Sequence, residues 1–349
     1  MLNFSGFRNV KWDAADATRL VRSFGTTRLV FVGDLMLDRY LRGTVRRVSP
    51  EAPVPILEVS EETQIPGGMG NACANAHSLG GLVLPLGIVG DDEPGELLIA
   101  ELAARGIDTS GIIRDPNRRT TVKTRVVADS QQIVRLDVET PHPVTGSIES
   151  RLAALIEDAL RRAAGLVLCD YAKGLLTPLL LRRAIAAARR AGALIAVDPK
   201  RPNFRAYREA TIITPNIKEA QAAVGTVIRS DAGLLRAGRR LLAQTSSDYV
   251  LITLGEHGMA LFGEPGGPCA VASEARQVFD VTGAGDTAIA ALSLSLAAGG
   301  GASDAMALAN IAAGLKVEKR GTAVVTVSEL LTRLVPAPPV EFAEPVSAQ

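Results

Sequence analysis

Residues 278–287 read Val-Phe-Asp-Val-Thr-Gly-Ala-Gly-Asp-Thr. A short apolar run, expected as a strand end, reaches Asp280 and gives way to a turn holding Gly283 and Gly285. Asp286 and Thr287 then open an Ala- and Leu-rich segment, 288–298, whose composition predicts a helix. Glycines at such a turn leave backbone N–H groups uncovered, and the helix adds its unpaired first-turn donors and the positive end of its dipole. That is an anion site. A carboxylate at Asp286 would repel phosphate there unless it has chemical work, such as accepting the proton of an attacking hydroxyl. Two other readings stand beside this one. Gly283-x-Gly285-x-x-Ala288 also fits the dinucleotide fingerprint of a NAD-dependent dehydrogenase, with Asp304 at the distance of a ribose-binding acid. A glycine C-cap followed by an Asp-capped helix would look the same.

Outward from this turn, short apolar runs alternate with helical segments along most of the chain. Runs at 29–32, 82–89, 166–169, 194–197, 211–213 and 250–253 predict strands. Segments 70–79, 95–105, 147–164, 178–191, 217–224 and 231–244 predict helices. The pattern indicates an α/β fold: an open, mostly parallel sheet with helices on both faces. Residues 42–61 and 118–139 break the alternation, and 121–127 with 132–138 read as a hairpin around Asp129-Ser130. Both stretches are expected to form a small β-sheet projecting from the main one as a lid. Nothing marks a linker, so 1–335 reads as one domain, followed by a proline-rich tail at 336–349 expected to be disordered.

Ligands of such sheets sit beyond the carboxyl ends of the strands. The polar residues expected there are Asp34 and Asp38; Asp170, Tyr171 and Lys173; Asp198 and Lys200; Thr214, Asn216 and Glu219; and the stretch from Asp280 to Asp286. Recurrent acids suit hydroxyl-rich ligands and magnesium. Asp198 and Asp280 read as ordinary caps or turn residues.

Composition agrees with a soluble cytoplasmic enzyme. The 349 residues are 47% hydrophobic, enough for a large core, and 38 basic against 37 acidic residues leave a net charge of +1. Such a balance gives no bulk attraction to nucleic acid or membrane. Cys73, Cys169 and Cys269 are widely spaced and are expected as reduced, partly buried thiols. The first residues lack the apolar core of a signal peptide, and no apolar stretch reaches the ~20 residues of a membrane span.

A second glycine-rich turn, Gly67-Gly68-Met69-Gly70-Asn71, leads into a helix and would let a ligand approach the backbone. GDLMLDRY (33–40), GGMGNACANAHSLG (67–80), DYAKG (170–174), VDPKR (197–201), ITPNIKEA (213–220) and FDVTGAGDT (279–287) occur in the order seen in ribokinase-like, PfkB-type carbohydrate kinases. The chain resembles that family over about residues 28–330. Within it, the stretch 33–56 resembles the heptose-7-phosphate kinases. The sequence has no His-x-Gly-His motif and is expected to be a stand-alone kinase, without the nucleotidyltransferase domain often fused to them.

The resemblance implies Asp286 as general base, with Gly283, Ala284 and Gly285 as an anion hole. It implies ATP and Mg2+ as cofactors, with a monovalent cation also compatible. Asn216, Ile217, Lys218 and Glu219 would lie at the nucleotide phosphates, Glu219 acting on magnesium through water. Thr253, Gly255, Gly258 and Asn310 would border the nucleotide. Asp34, Gly67, Gly68 and Asn71 would grip sugar hydroxyls, and Gly70, where many relatives carry a bulkier residue, would alter substrate fit. The lid would form a homodimer contact. A sugar phosphate also needs cations, with Arg46, Arg47, Lys123, Arg125, Lys173 and Lys200 as candidates and Arg47 and Lys173 in front. The implied reaction is phosphorylation at C1 of a heptose 7-phosphate, and the alternative within the family is another sugar or a nucleoside. The absence of Gly-x4-Gly-Lys-Ser/Thr excludes a P-loop kinase.

Overall fold

Leu29 to Val32 are all buried, as a strand covered on both faces requires. Leu29 and Phe31 join one apolar layer, and Val30 and Val32 join the other. The protein is described by a computed structural model over residues 2–10, 12–129, 131–200, 204–319, 321 and 323–334; the tail expected at 336–349 lies outside these. In chain order the strands are β1 (Arg8–Asn9), β2 (Arg28–Gly33), β3 (Leu35–Val48), β4 (Pro55–Gly68), β5 (Leu82–Gly90), β6 (Ile112–Asp115), β7 (Thr121–Ala128), β8 (Gln131–Val138), β9 (Gly165–Cys169), β10 (Leu194–Asp198), β11 (Ile212–Ile213), β12 (Tyr249–Thr253), β13 (Met259–Phe262) and β14 (Cys269–Val271). Ten of them form the main sheet, in the order β1-β14-β13-β12-β11-β10-β9-β2-β5-β6. Only β13 runs against its neighbours.

The helices are α1 (Ala14–Ser23), α2 (Met69–Ser78), α3 (Glu93–Ala104), α4 (Gly146–Ala159), α5 (Pro178–Ala191), α6 (Ile217–Val224), α7 (Asp231–Thr245), α8 (Ala284–Ala297), α9 (Ala302–Val317) and α10 (Val327–Leu334). Side chains of α1, α2, α3, α8, α9 and α10 enter one apolar layer, and those of α4 to α7 enter the other. The expected α5 and α6 match residue for residue. Helix α8 begins four residues earlier than expected, so Asp286 lies within its first turn. The run at 278–280 is not a strand, because Phe279 and Asp280 both donate their N–H to the Val317 carbonyl instead of to a ladder.

The small sheet has the order β4-β3-β7-β8. It starts at Leu35, directly after β2, and not at residue 42 as expected. Leu35, Met36 and Leu37 are buried in succession where the sheet leaves the core, so the alternation that marks a strand is absent there. The hairpin turns at Asp129 as expected, with φ at +51°. All three cysteines are free and fully buried rather than partly so. Among the described residues no helix is long and apolar enough to cross a membrane.

Gly238, inside α7, shows how closely one layer is packed. A Cβ there would stand 2.4 Å from the buried ring of Phe262. Ala improves helix propensity by about 1 kcal/mol over Gly, whereas overpacking a core costs typically 1–3 kcal/mol. Gly238→Ala should therefore lower stability in urea unfolding, and a gain in stability would show that the ring can yield.

Candidate active site

The N-terminus of α8 carries Asp286, and two cavities meet there. One, of about 240 Å³, is lined by Tyr171, Asp198, Lys200, Asn216, Glu219 and Asp286 among others. The other, of about 440 Å³ and mainly apolar, is lined by Gly255, Gly258, Val278, Val281, Asn310 and Val317 among others. Thr253, Gly285 and Ala288 belong to both.

Both oxygens of the Asp286 carboxylate are held. Asn71 donates Nδ2–H to Oδ2 at 2.5 Å, and the Tyr171 hydroxyl donates to Oδ1. Asn71 is itself fixed by Asn75, which donates to its Oδ1 at 3.2 Å; Thr287 then donates to Asn75 Oδ1 at 2.8 Å. Desolvation raises the Asp286 pKa to about 6, while the Tyr171 and Asn71 hydrogen bonds oppose the rise. Burial and the neighbouring Asp286 charge push the Tyr171 hydroxyl well above its ordinary value, so it stays a donor. A carboxylate with this pKa is ionised at neutral pH yet basic enough to take a proton.

Gly283 precedes α8 with φ at +79°, and a Cβ there would meet Asn71 Nδ2 at 2.7 Å. The turn therefore needs glycine for its backbone and for the approach of Asn71. Ala284 returns its N–H to the Val281 carbonyl at 3.3 Å, so it closes the turn and is not a free member of the anion hole expected of it. A Cβ on Gly285 would meet nothing within 4 Å, which leaves open space in front of that backbone.

Asp34 has a different place from the one expected. It is buried, and its carboxylate accepts N–H bonds from Tyr171 at 2.9 Å and from Lys173 and Leu175 at 3.1 Å. It shapes the loop that presents Tyr171, a loop further constrained by Ala172 at φ +57°. Asp38, four residues on, is placed differently and pairs with Arg125 at 2.7 Å. It lies against Gly67, whose Cβ would stand 2.7 Å from Asp38 Oδ2, and its charge raises the pKa of Asp286. Gly68, at φ +55°, lets the chain turn against Met36 and the Asp34 carbonyl. Gly70 faces Pro66, Leu35 and Leu98, so it bears on packing and not on substrate fit.

Of the residues expected at the nucleotide, Asn216 caps α6 and its N–H donates to Glu219 at 2.9 Å, a complete capping box. Ile217 packs into the apolar layer and Lys218 is exposed; neither lines the described cavities. Asn310 donates to the Ala272 carbonyl at 2.7 Å and so holds the cavity wall. Asp198 is not an ordinary cap: it lines the smaller cavity, and burial together with the charges of Asp286 and Glu219 raises its pKa well above its ordinary value. Asp280 is a turn residue, accepting from Thr282 N and Gly321 N. Asp304 lines a separate cavity beside Trp12 and Asp16, away from the Gly283 turn, which removes the ribose-binding acid of the dehydrogenase reading.

Carboxylates converging with Asn216 form an oxygen-only donor set that suits a hard cation such as Mg2+. Among the described residues no group of three His, Cys, Asp or Glu is placed to hold a metal directly. Contact through water, as expected of Glu219, fits this geometry; Glu219 Oε1 pairs with Lys200 at 3.1 Å.

The candidate cations separate by distance along the small sheet. Arg46 and Arg47 lie near the tip of β3; Arg47 is exposed, pairs with Glu58 at 4.0 Å, and stands nine residues, roughly 30 Å of strand, beyond Asp38. Arg47 is thus excluded from this chain's site. Lys123, Arg125 and Lys173 lie at the base of that sheet: Arg125 pairs with Asp38 at 2.7 Å, Lys123 with Asp137 at 3.0 Å, and Lys173 with Glu139.

The pfkB family carbohydrate kinase model matches residues 26–328. The chain is 47% identical over 300 residues to a bifunctional protein HldE of Geobacter metallireducens, covering 86% of this chain and 61% of that protein. It is 45% identical over 307 residues to the HldE of Azorhizobium caulinodans, covering 88% of this chain and 64% of the relative. The chain thus spans less than two thirds of the length of these relatives. Arabidopsis thaliana ribokinase, solved with ribose and ATP, superposes with a TM-score of 0.73 at 21% identity, over 89% of this chain and 99% of that one. Escherichia coli phosphofructokinase-2, solved with substrates and products, gives 0.74 at 17% identity, over 88% and 98%. Fold and sequence agree, and the chain belongs to the pfkB family of carbohydrate kinases.

Proposed function

We propose that this sugar kinase transfers the γ-phosphoryl group of ATP to the anomeric C1 hydroxyl of D-glycero-β-D-manno-heptose 7-phosphate, giving the 1,7-bisphosphate and ADP. The observation that carries the reaction type is the Asp286 carboxylate, held by Asn71 and Tyr171 at the helix end where the two cavities meet. The heptose reading is supported by the resemblance of residues 33–56 to heptose-7-phosphate kinases and by the identity to the HldE proteins. It assigns the reaction to ADP-heptose and lipopolysaccharide core synthesis, in the cytoplasm.

In this mechanism the apolar cavity takes the adenine and ribose, and the phosphates extend to the Gly283–Asp286 turn. The sugar lies between Asp38 and Asp286, under the small sheet acting as a lid. Asp286 takes the proton from the C1 hydroxyl as its oxygen attacks phosphorus, and the backbone N–H groups at the start of α8 stabilise charge on the transferred group. Mg2+, when bound with ATP, neutralises phosphate charge, and Asn216 with Glu219 would hold its waters. Tyr171 and Asn71 keep the carboxylate aimed and ionised. The sugar's far phosphate would draw Lys123 away from Asp137 and Lys173 away from Glu139, since a buried phosphate requires charge-assisted partners. Two copies would pair through the lid, where β8 is an exposed edge strand carrying the exposed apolar residues Ile133, Val134 and Leu136.

The acid limb of kcat/KM should titrate near pH 6, with activity rising as Asp286 ionises. Tyr171→Phe removes a donor to the ionised carboxylate, so the limb should move up by about one pH unit. Asp286→Asn should bind ATP normally and lose roughly 10²–10⁴ in turnover. Steady-state rates with the heptose phosphate across pH 5–8 test both, and near-normal turnover by Asp286→Asn would remove it as the base.

Lys123→Ala and Lys173→Ala should weaken sugar-phosphate binding by about 2–5 kcal/mol while leaving the KM for ATP nearly unchanged. A panel of sugars and sugar phosphates, followed by ADP release, decides the substrate. Preference for an unphosphorylated sugar would overturn the heptose 7-phosphate assignment and leave the sugar kinase intact.

Leu136→Lys should shift the sedimentation profile from dimer to monomer at micromolar concentration. A wild-type monomer would end the lid-dimer proposal.

A further inference from the structure

Lys316, within α9, is fully buried, and no step above uses it. Its ammonium donates to the Gly321 carbonyl at 2.7 Å. Its Cε lies 3.5 Å from where a Cβ on Gly283 would stand, so the charge sits directly behind the phosphate-facing turn. Lys316 lines neither of the two cavities that meet at Asp286, so it is placed behind the turn and not beside a ligand. The same seam is closed by backbone bonds. Asp280 accepts from Thr282 N at 2.9 Å and from Gly321 N at 3.1 Å, and Val317 O accepts from Phe279 N and Asp280 N. Burial pulls the Lys316 pKa down, while the charges of Asp280 and Asp286 favour its protonated form.

A buried ammonium is costly unless opposite charge compensates it. Here the compensation comes from Asp280 and Asp286 and, during turnover, from the negative charge gathered at the turn. The Gly321 carbonyl that the ammonium takes, in the field of the Asp280 and Asp286 charges, is an oxygen that a small free cation would otherwise take.

We propose that Lys316 is a built-in monovalent cation: it holds positive charge behind the Gly283–Asp286 turn, so phosphoryl transfer by this chain needs no potassium or other free monovalent ion. Lys316 is a positioning residue, acting through the turn and touching no substrate. The inference rests on the reading of that turn as the phosphate-facing one.

Turnover with ATP-Mg and heptose 7-phosphate is measured in choline chloride and in potassium chloride at equal ionic strength. Wild-type kcat should be the same in both. Lys316→Met keeps much of the side-chain volume and removes the charge; in choline its kcat should fall about tenfold, less than for loss of a direct oxyanion donor. Its sugar KM should stay unchanged, and potassium should restore most of the lost turnover. Thermal unfolding gives an independent readout: potassium should stabilise Lys316→Met relative to choline and leave the wild type unmoved. Several-fold stimulation of the wild type by potassium would overturn the proposal. So would wild-type turnover by Lys316→Met in choline, or a folded Lys316→Met that potassium does not rescue. If the variant does not fold, the wild-type salt comparison decides. Failure of the underlying site reading would show separately, as turnover retained by Asp286→Asn.

Discussion

A carboxylate held from two sides at the positive end of a buried helix organises this protein. Asn71 arrives from α2, and Tyr171 from the loop behind β9; each grips one oxygen of Asp286. Neither donor is positioned by itself. Asn71 depends on Asn75 and, through it, on Thr287 one residue beyond that carboxylate. Tyr171 depends on Asp34, whose carboxylate gathers three backbone N–H groups of its loop. Such a chain of hydrogen bonds in low dielectric fixes geometry strongly when every member is satisfied. It also sets the balance at Asp286, where desolvation raises the pKa and the two donors restrain the rise.

Much of this was legible in the sequence because glycines and strand ends carry local signals. The strands β2, β5, β9, β10 and β12 are short apolar runs bounded by polar residues, and α5 ends in Gly192 in the left-handed conformation. Helix α9 was missed for the opposite reason: it is buried on nearly every side, so no polar face marks its period. The beginning of β3 was missed because three successive side chains are buried at the base of the small sheet.

Within the site, the sequence could place acids at strand ends but could not distinguish their tasks. Asp34 and Asp38 are four residues apart; one is enclosed by backbone donors and the other pairs with Arg125 of β7. That difference arises from the loop at 171–175, more than 130 residues away, and no local pattern contains it. Asp198 was read as a cap because the charges that act on it, Asp286 and Glu219, come from the first turns of two helices far along the chain. Arg47 failed on length: its strand carries it to the tip of the small sheet, where it pairs with Glu58.

The pairing of β1 with β14 sets Arg8 opposite Cys269, and Asn71 meets Asp286 across 215 residues of chain. At a synthesis rate of roughly 5–20 residues per second, Asn71 waits on the order of ten to forty seconds for the carboxylate it will hold. Throughout that time the apolar face of α2 lacks α8, the helix it packs against in the native layer. A nascent chain of this topology can form its central strands early, but the Asn71–Asp286 contact forms only after α8 has been made. Truncation anywhere before Asp286 therefore yields not a weaker enzyme but a chain with an uncovered apolar layer, the kind of species that chaperones bind and that aggregates.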